Sequence, residues 1–368
     1  MLLADIMATS GKSVYVLITT LSLSIAQITG TDTAFSPPPP QLQNTTRFSV
    51  TDEFSFSCLP LTTQLSDPIV FPGQQSSHTH VVTGGTAFQR RMGLETARSA
   101  NETTCEVAID RSNYWVPALY HANATGDGGF KMIDYEWSAI YYLNRACNYT
   151  PGARTCANVP YPLAPPAGLR VVAGNPGLQT YNDSDFSQRA ISHMCLQHNG
   201  TSNETKHLPH TPCSQLRSQI FFPSCWDGKN LDSPDHKSHM AYPAIGDYNQ
   251  GVCPESHPIA IFSLFMEFLF NTAPFPDYRN WIYATTDSTG YSLHGDFING
   301  WTDQDALQRA FETCTDKEWL NSPSCSITKA QERPLTPVAA IPQIPAPMDE
   351  LGASKAILTL PGDLDHLH

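Results

Sequence analysis

The stretch that decides the fold is IAIFSLFMEFLF, from Ile259 to Phe270, in which Ser263 and Glu267 are the only polar residues. Apolar side chains therefore occupy both alternating faces, as in a central strand that is covered on its two sides. A buried helix would give the same pattern over so short a run, and it stays open as the alternative. The 30 prolines among 368 residues exceed the usual frequency of about 5%, which argues against long helices and favours the strand.

Shorter patterns elsewhere also indicate strands, and one indicates a helix. Phe54 and Phe56 alternate with serines, and a run from Leu169 to Ala173 that is apolar except for Arg170 precedes a glycine, as expected for strands. Thr302 and Asp305 have the spacing of a capping box, with Asp in the role of Glu. One face of the helix predicted to begin there would carry Leu307, Ala310, Phe311 and Cys314.

Together these patterns predict a mainly β protein. The expected architecture is a single large β-sandwich or jelly-roll-like domain with long disulfide-pinned loops and a few short helices. The domain is expected to span residues 52–325, which contain all the cysteines. Residues 27–51 hold four consecutive prolines and are predicted to be a linker. The proline-rich tail, residues 326–368, is predicted to be mostly disordered.

The N-terminal 26 residues have the features of a signal peptide. An apolar and hydroxyl-rich run from Val14 to Ala26 is too short to span a bilayer and ends in small residues. We therefore expect cleavage after Ala26, with a membrane anchor as the alternative.

Cysteines and glycosylation sequons agree with a secreted, extracellular protein. The ten cysteines are even in number and include no close C-x-x-C pair, so disulfides are favoured over structural zinc. N-x-S/T sequons mark surface loops of secreted glycoproteins. The chain has seven, at Asn44, Asn101, Asn123, Asn148, Asn182, Asn199 and Asn203.

Charge and missing motifs exclude several classes of partner. The net charge of −13 argues against binding to nucleic acid or to an anionic membrane surface, because both are acidic. The chain contains no P-loop, no dinucleotide fingerprint, no G-x-S-x-G elbow and no H-E-x-x-H motif, so no nucleotide cofactor is expected. No membrane partner is expected once the signal peptide has been removed.

Two short segments place histidines where they could share one site. In Ser77-His78-Thr79-His80, both imidazoles of an extended chain point to one face. In Gly290–Trp301, His294 and Asp296 share a face in the same way. We therefore expect His78, His80, His294 and Asp296 to approach one another as candidate catalytic residues. An unrelated surface pair is the alternative for the first segment.

A third segment, from Ser224 to Tyr242, is also rich in polar and aromatic residues. His236 and His239 are spaced to meet on a helical turn, and Asp235 adjoins the first of them and could orient an imidazole. Both histidines join the candidate catalytic residues. A polar loop without a role in chemistry is the alternative.

Aromatic residues in the same segments predict carbohydrate binding. Sugar rings stack on aromatic planes, while carboxylate and guanidinium groups bind their hydroxyls. The candidate substrate-binding residues are Asp110, Arg111, Tyr114, Trp115, Trp226, Asp227, Tyr242 and Trp301. Ordinary core positions are the alternative for aromatic rings that lie in strands.

Two chemistries suit the histidine segments. A strand H-x-H with a third imidazole is the ligand pattern of an open site for a divalent metal. Without a metal, the same histidines and Asp296 could act as general acid and base on a glycan. A conventional pair of glycosidase carboxylates is not evident, and Glu95, Glu136 and Glu267 are candidates only by elimination.

Several blocks in one order carry a resemblance to a known family. They are Ser77–His80 with Gly84-Gly85, Asp110–Pro117, Phe222–Gly228, Asp235–Pro243, Cys253-Pro254 with His257-Pro258, and Gly290–Trp301. In these blocks, which cover about residues 67–315, the chain resembles the fungal secreted domain of unknown function called DUF1996. The resemblance implies a secreted fungal protein, sometimes found beside wall-binding modules, and it supplies no reaction.

Three functions remain as hypotheses. The leading one is a polysaccharide hydrolase or lyase with a histidine and aspartate centre, acting on polysaccharide or cell-wall glycan. The first alternative is a non-catalytic protein that binds such glycans, and the second is a secreted metal-binding protein. Convergence of the histidines in one place favours an enzyme or a metal site, whereas scattered histidines beside a flat aromatic strip favour a binding protein.

Overall fold

A computed structural model describes residues 53–122, 128–157, 160–315, 319–331, 334–336 and 351–362. The predicted signal peptide and linker, and the sequons at Asn44 and Asn123, lie outside the described residues. The strands are β1 (Glu53–Cys58), β2 (Pro60–Gln64), β3 (His80–Gly84), β4 (Asn113–Pro117), β5 (Leu119–Ala122), β6 (Phe130–Met132), β7 (Tyr135–Leu143), β8 (Ala146–Cys147), β9 (Arg170–Gly174), β10 (Ile191–Leu196), β11 (Ser202–Thr205), β12 (Gln215–Phe221), β13 (Cys225–Trp226), β14 (Met240–Ala241), β15 (Ile245–Asp247), β16 (Gln250–Val252), β17 (Ile259–Ala260), β18 (Ser263–Phe270), β19 (Trp281–Tyr283) and β20 (His294–Ile298).

The helices are all short. They are α1 (Leu94–Arg98), α2 (Phe186–Arg189), α3 (Gln304–Gln308), α4 (Ala310–Thr313) and α5 (Ser326–Ala330), with 3₁₀ turns at Tyr278–Asn280 and Trp319–Asn321. Among the described residues, no helix has the length and apolar character needed to cross a membrane.

Two large antiparallel sheets form the body of the protein. The six-stranded sheet has the order β1-β7-β18-β12-β10-β11, and the five-stranded sheet has the order β2-β3-β4-β20-β9. Their facing sides contribute to one hydrophobic core, where the hydroxyls of Tyr114 on β4 and Tyr142 on β7 lie 2.9 Å apart. The prediction of a mainly β, sandwich-like fold with a few short helices is therefore confirmed. Three small sheets, β14-β13-β17, β15-β16-β8 and β19-β5-β6, complete the strand pairing.

A second, smaller core covers the outer side of the five-stranded sheet. Successive strand residues alternate between the two sides of a sheet, so the residues between the inward ones face this outer layer. The strand residues Val82, Trp115, Val172 and Ile298 pack there with Leu61, Ile69, Met92 and Ala97. Side chains on this side of β3 and β20 are consequently buried although they point away from the main core.

The run from Ile259 to Phe270 is extended, as predicted, and the helical alternative is wrong. It forms β17 and β18, and β18 lies between β7 and β12 in the six-stranded sheet. Phe54 and Phe56 lie on β1, and the run before Gly174 forms β9. The pattern of apolar residues, together with the high proline content that argued against helices, thus predicted these strands correctly.

The predicted C-terminal helix exists, but its start is wrong. Its N-cap is Asp303, whose carboxylate accepts a hydrogen bond from the Ala306 amide at 2.8 Å, so the Thr302 capping box does not form. The helix also breaks between α3 and α4 at Arg309. The predicted apolar face is buried nevertheless, with Leu307, Ala310 and Phe311 in the main core.

All ten cysteines form disulfides, as predicted. The pairs are Cys58–Cys105, Cys147–Cys156, Cys195–Cys213, Cys225–Cys253 and Cys314–Cys325. Four of them close loops of fewer than 30 residues, so they stabilise local connections around the sheets.

Part of the C-terminal tail is ordered, which corrects the prediction of disorder for those residues. Ser326–Ala330 forms α5. Farther on, Phe130 on β6 and Ile357 exchange backbone hydrogen bonds of 2.6 and 2.9 Å, and Leu360 is buried in the main core. The tail therefore adds to the domain instead of leaving it at residue 325.

Candidate metal centre

The strand order brings the two histidine segments to one end of the five-stranded sheet. β3 and β20 both pair antiparallel with β4, on its two sides. They therefore run in the same direction, and their first residues, His80 and His294, lie at the same end of the sheet. Gly295 faces inward, because a Cβ there would lie 2.9 Å from Met266 of the main core. His294 and Asp296 consequently face the outer layer.

Three imidazoles meet in this layer. One ring nitrogen from each of His78, His80 and His294 lies within 4.8 Å of the other two. The Nε2 atoms of His78 and His294 are 3.1 Å apart, and the ring centroids of His78 and His80 are 4.3 Å apart. The predicted approach of these histidines is therefore observed, although His78 precedes the strand and only His80 belongs to it.

Hydrogen bonds through Nδ1 orient two of the rings, so that Nε2 is the nitrogen without a proton. Nδ1 of His294 donates to the Ser292 carbonyl at 2.9 Å, and Nδ1 of His80 donates to the Ser66 carbonyl at 3.2 Å. A neutral imidazole that donates through Nδ1 carries a lone pair on Nε2. Backbone carbonyls that bind Nδ1 in this way are the usual second layer of a metal site.

Two buried carboxylates complete the cluster. Asp296 is fully buried, and neither of its oxygens has a hydrogen-bond partner among the described residues. Its Oδ2 lies 4.0 Å from Nε2 of His294. Oxygen atoms of Asp67 and Asp296 and a nitrogen of His80 also lie within 4.8 Å of one another. Nε2 of His80 is likewise buried without a partner.

Burial sets the protonation of these groups. Desolvation, and then the neighbouring His294, lowers the pKa of His78 to about 2. Desolvation likewise lowers the pKa of His294 to about 4 and lowers the pKa of His80. The imidazoles are therefore neutral, the form that binds metal. Burial, and then the nearby Asp67, raises the pKa of Asp296 well above its usual range, so without a cation bound beside it the carboxyl group favours its neutral form.

The third predicted segment borders the cluster without forming a helix there. His236 has a positive φ of 57°, and its Nδ1 lies 2.8 Å from a carboxylate oxygen of Asp232, so its acidic partner is Asp232 and not the predicted Asp235. Burial raises the pKa of Asp67, and backbone hydrogen bonds and His236 oppose this rise. Lys237 likewise opposes the rise in the pKa of Asp296. Both side chains are half-buried, and the ammonium of Lys237 donates to the Gly174 carbonyl.

His239 is not part of the cluster. Its Nδ1 lies 2.8 Å from the Ser233 hydroxyl, and its Nε2 donates to the Arg170 carbonyl at 2.7 Å. With 1% of its surface exposed and both nitrogens engaged, it secures the loop to β9. The helical turn predicted to bring His236 and His239 together is therefore absent, and the two side chains have separate partners.

Most of the aromatic residues predicted to stack on sugar have buried rings, so that prediction is wrong for them. Tyr114, Trp115 and Trp301 have no exposed surface and Trp226 has 2%. A ring without exposed surface cannot stack on a sugar. Two of these rings donate hydrogen bonds within the protein. Trp301 donates from Nε1 to the Tyr142 hydroxyl at 2.9 Å, and Trp226 donates to the Asn230 carbonyl at 2.6 Å.

The other predicted binding residues are dispersed. Asp110 is fully buried and accepts hydrogen bonds from the Ser112 amide and the Tyr114 hydroxyl, and Arg111 adjoins it at the end of β4 away from His80. Asp227 organises its own turn by accepting from the Lys229 and Asn230 amides. Tyr242 donates to the Phe221 carbonyl at 2.9 Å, on the outer side of the other sheet.

Sequence reasoning missed Asp67. No motif surrounds it, and it precedes His78 by eleven positions. One of its oxygens caps the turn that follows, accepting from the Ile69 and Val70 amides. Such a turn is a common use of Asp before Pro, so the sequence alone favours a structural role over a place beside His80 and Asp296.

Comparisons with known proteins identify the family and nothing closer. No curated protein matches the chain, and no solved structure does. A family model described as "Domain of unknown function (DUF1996)" matches residues 67–301, which contain all three histidines and both carboxylates of the cluster. Because the match covers more than half of the chain, the protein belongs to the DUF1996 family.

Proposed function

We propose that the protein binds a divalent metal ion of the zinc type through His78, His80, His294 and Asp296. One observation carries this proposal: the buried carboxylate of Asp296 has no hydrogen-bond partner among the described residues and lies beside His80 and His294, two members of the three-imidazole cluster. An unpaired buried carboxylate costs several kcal/mol. A divalent cation supplies the missing charge and accepts the imidazole lone pairs.

The distances suit such an ion. Two nitrogens bound to one tetrahedral zinc at about 2.0–2.1 Å lie roughly 3.3 Å apart, close to the 3.1 Å between Nε2 of His78 and Nε2 of His294. Histidine nitrogen and carboxylate oxygen together favour zinc and neighbouring transition metals over calcium or magnesium. With Asp296 as fourth ligand, Asp67 would contribute a second negative charge near the ion.

A metal-free arrangement is the competing explanation. Nδ1 of His78 lies 3.1 Å from the Ser77 hydroxyl, which can donate to it. Nε2 of His78 could then donate to Nε2 of His294, and a protonated Asp296 would be neutral. This arrangement still leaves Nε2 of His80 and both Asp296 oxygens without partners among the described residues, which is why the metal is favoured.

Metal content tests the proposal. We expect about one zinc-type ion per chain in protein secreted by a eukaryotic host and purified without chelator, measured by mass spectrometry of the elements. His80→Ala and Asp296→Asn should each reduce it to near zero. His193→Ala is the matched control, because His193 is also fully buried but bonds to the Tyr283 hydroxyl at 3.1 Å in the main core.

The outcome separates the two arrangements. If wild-type protein contains no metal and takes up none from zinc, cobalt or nickel at micromolar concentration, the metal proposal is wrong and the hydrogen-bonded arrangement stands. If His193→Ala loses the metal as fully as His80→Ala does, the loss reports unfolding instead of ligation.

A second candidate function is catalysis on carbohydrate at the same centre. The observation that favours it is the presence of further titratable groups beside the cluster, since His236 and Lys237 are half-buried and reach its edge. A metal at such a centre would activate water or polarise an oxygen of the substrate. His236, held by Asp232, would be placed to exchange a proton with solvent.

Secretion and glycosylation are part of the same proposal. Five disulfides support an oxidising compartment, and all five sequon asparagines among the described residues are exposed. We expect glycans at most sequons, so that enzymatic deglycosylation of protein from a eukaryotic secretion host lowers its apparent mass in several steps. Asn101→Gln should remove one step, and a single band unchanged by the enzyme would contradict the prediction.

A further inference from the structure

A cleft of about 300 Å³ crosses the outer side of the six-stranded sheet, away from the histidine cluster on the outer side of the other sheet. We refer to it as the outer cleft. Its lining includes four aromatic and two polar side chains, Tyr141, Phe221, Tyr248, Phe265, Glu267 and Gln219. Its volume is at the lower end of the range for small-molecule sites, roughly 300–1,000 Å³.

Strand register arranges the floor of the outer cleft in two rows. Tyr141 on β7 pairs with Phe265 on β18, and Phe265 pairs with Phe221 on β12. These rings form a row across three adjacent strands, with neighbouring centroids 5.4 and 5.8 Å apart. The next row on the same side, two residues along each strand, has Glu267 on β18 and Gln219 on β12, which also pair. An aromatic row therefore runs beside a polar row.

The polar row contains an unused acceptor. Gln219 has 7% of its surface exposed, and its side-chain oxygen is buried without a hydrogen-bond partner among the described residues. Glu267, 5% exposed, accepts from the Tyr141 hydroxyl and pairs with Arg217, each at 3.1 Å. Buried polar atoms are normally satisfied, so the Gln219 oxygen indicates a ligand that brings a donor.

We propose that the outer cleft binds a neutral oligosaccharide. A pyranose ring has an apolar C–H face that stacks on aromatic planes and an edge of hydroxyls that donate and accept. Adjacent strands are about 4.8 Å apart, close to the length of one sugar unit, so successive sugars could follow the aromatic row. The hydroxyl edge would then meet Gln219 and Glu267.

Charge favours a neutral sugar over an acidic one. Arg217 is paired with Glu267, and Arg145 is paired with Glu53 at 3.1 Å. The exposed Glu204 adds a negative charge to the lining. Arg145, the cation among the described lining residues, is therefore already paired, and the nearby Lys206 ammonium, 5.5 Å from the Tyr248 ring, donates to the Arg189 carbonyl. This proposal stands on the cleft alone and does not depend on the metal centre.

Binding of defined hexasaccharides tests it. Full-length protein is titrated with cellohexaose, laminarihexaose, xylohexaose and N-acetylchitohexaose, and with hexagalacturonic acid as the acidic comparison. We expect one or more neutral sugars to bind. Tyr141→Ala and Gln219→Leu should each weaken that binding about tenfold or more. Trp137→Ala is the matched control, because Trp137 lies on the same strand, faces the same side and is half-buried outside the lining.

The results separate this site from the metal centre. His80→Ala should bind the same hexasaccharide with unchanged affinity, whatever its metal content. If no neutral hexasaccharide binds, or only the acidic one does, the proposal is wrong. It is also wrong if Tyr141→Ala and Gln219→Leu bind as tightly as wild type, or if Trp137→Ala weakens binding as much as they do.

Discussion

We expect removal of the proposed metal ion from the wild-type protein to lower its melting temperature by roughly 10 °C. A ligand present at about 1,000 times its dissociation constant stabilises the folded state by about 4 kcal/mol, and each kcal/mol shifts the midpoint of a protein of this size by about 2–4 °C. The shift is large because the metal-free protein would retain the buried Asp296 side chain, whose oxygens have no hydrogen-bond partner among the described residues. Differential scanning calorimetry with and without a chelator measures it.

The Asp296→Asn variant makes this prediction sharper. With metal present, the variant should melt well below wild type, because it has lost a charged ligand; breaking a buried charge pair costs about 3–5 kcal/mol. In chelator, the order should be equal or reversed, because the substitution then replaces a buried carboxyl group whose oxygens have no hydrogen-bond partner among the described residues. A metal-dependent change in the sign of the stability difference is expected only for a ligand.

Asp110→Asn is the matched control. Asp110 is as buried as Asp296, but its carboxylate accepts hydrogen bonds from the Ser112 amide and the Tyr114 hydroxyl. Its substitution should destabilise the protein equally with and without metal. If Asp296→Asn behaves in the same way, or if chelator leaves the wild-type melting temperature unchanged, Asp296 is not a metal ligand.

Loss of polysaccharide cleavage is the second large effect expected. If the centre is catalytic, His80→Ala and His294→Ala should each reduce the rate by about 10²–10⁴, the usual contribution of one positioned acid, base or metal ligand. The experiment needs a panel of plant and fungal wall polysaccharides, scored for soluble products and for protein retained on the insoluble fraction. Chelation followed by addition of metal should reproduce and then reverse the loss.

The control again separates chemistry from folding. His193→Ala removes a buried imidazole that bonds to Tyr283, which should cost about 1–3 kcal/mol of stability and leave the rate per folded molecule unchanged. Wild-type protein that releases no product from any polysaccharide refutes the enzyme. If it remains bound to insoluble glycan and Tyr141→Ala releases it, the non-catalytic binding protein is the correct reading.

Local sequence patterns were sufficient for much of the architecture. The apolar run at Ile259–Phe270 identified the strand that became central to the six-stranded sheet, because both faces of such a strand must be covered by apolar side chains. The even cysteine count predicted a full set of disulfides, and the structure pairs all ten. These properties depend on composition and on neighbours in the chain, which a single sequence displays directly.

Only part of the candidate site could be predicted from the sequence. Alternation in a strand placed His294 and Asp296 on one face, and that inference holds for β20 whatever surrounds it. Which histidines meet depended on the order β3-β4-β20, since His78 and His294 are 216 positions apart in the chain. His239 carries the same imidazole group, yet in the fold both of its ring nitrogens already have hydrogen-bond partners outside the cluster.

Burial was decided by the tertiary structure alone. Trp115, Trp226 and Trp301 looked like sugar platforms in sequence, but the layers packed on them leave almost no ring surface exposed. Tyr141 and Phe265 were not predicted from the sequence to bind a ligand, yet their side of the sheet stays open and forms the floor of the outer cleft. The sequence by itself determined several strands, the involvement of all ten cysteines in disulfides without their partners, and the alternation of faces, because composition and neighbouring residues display these directly. Only the packing of one layer on another decided which face is covered, and so which histidines, carboxylates and aromatic rings can meet a ligand.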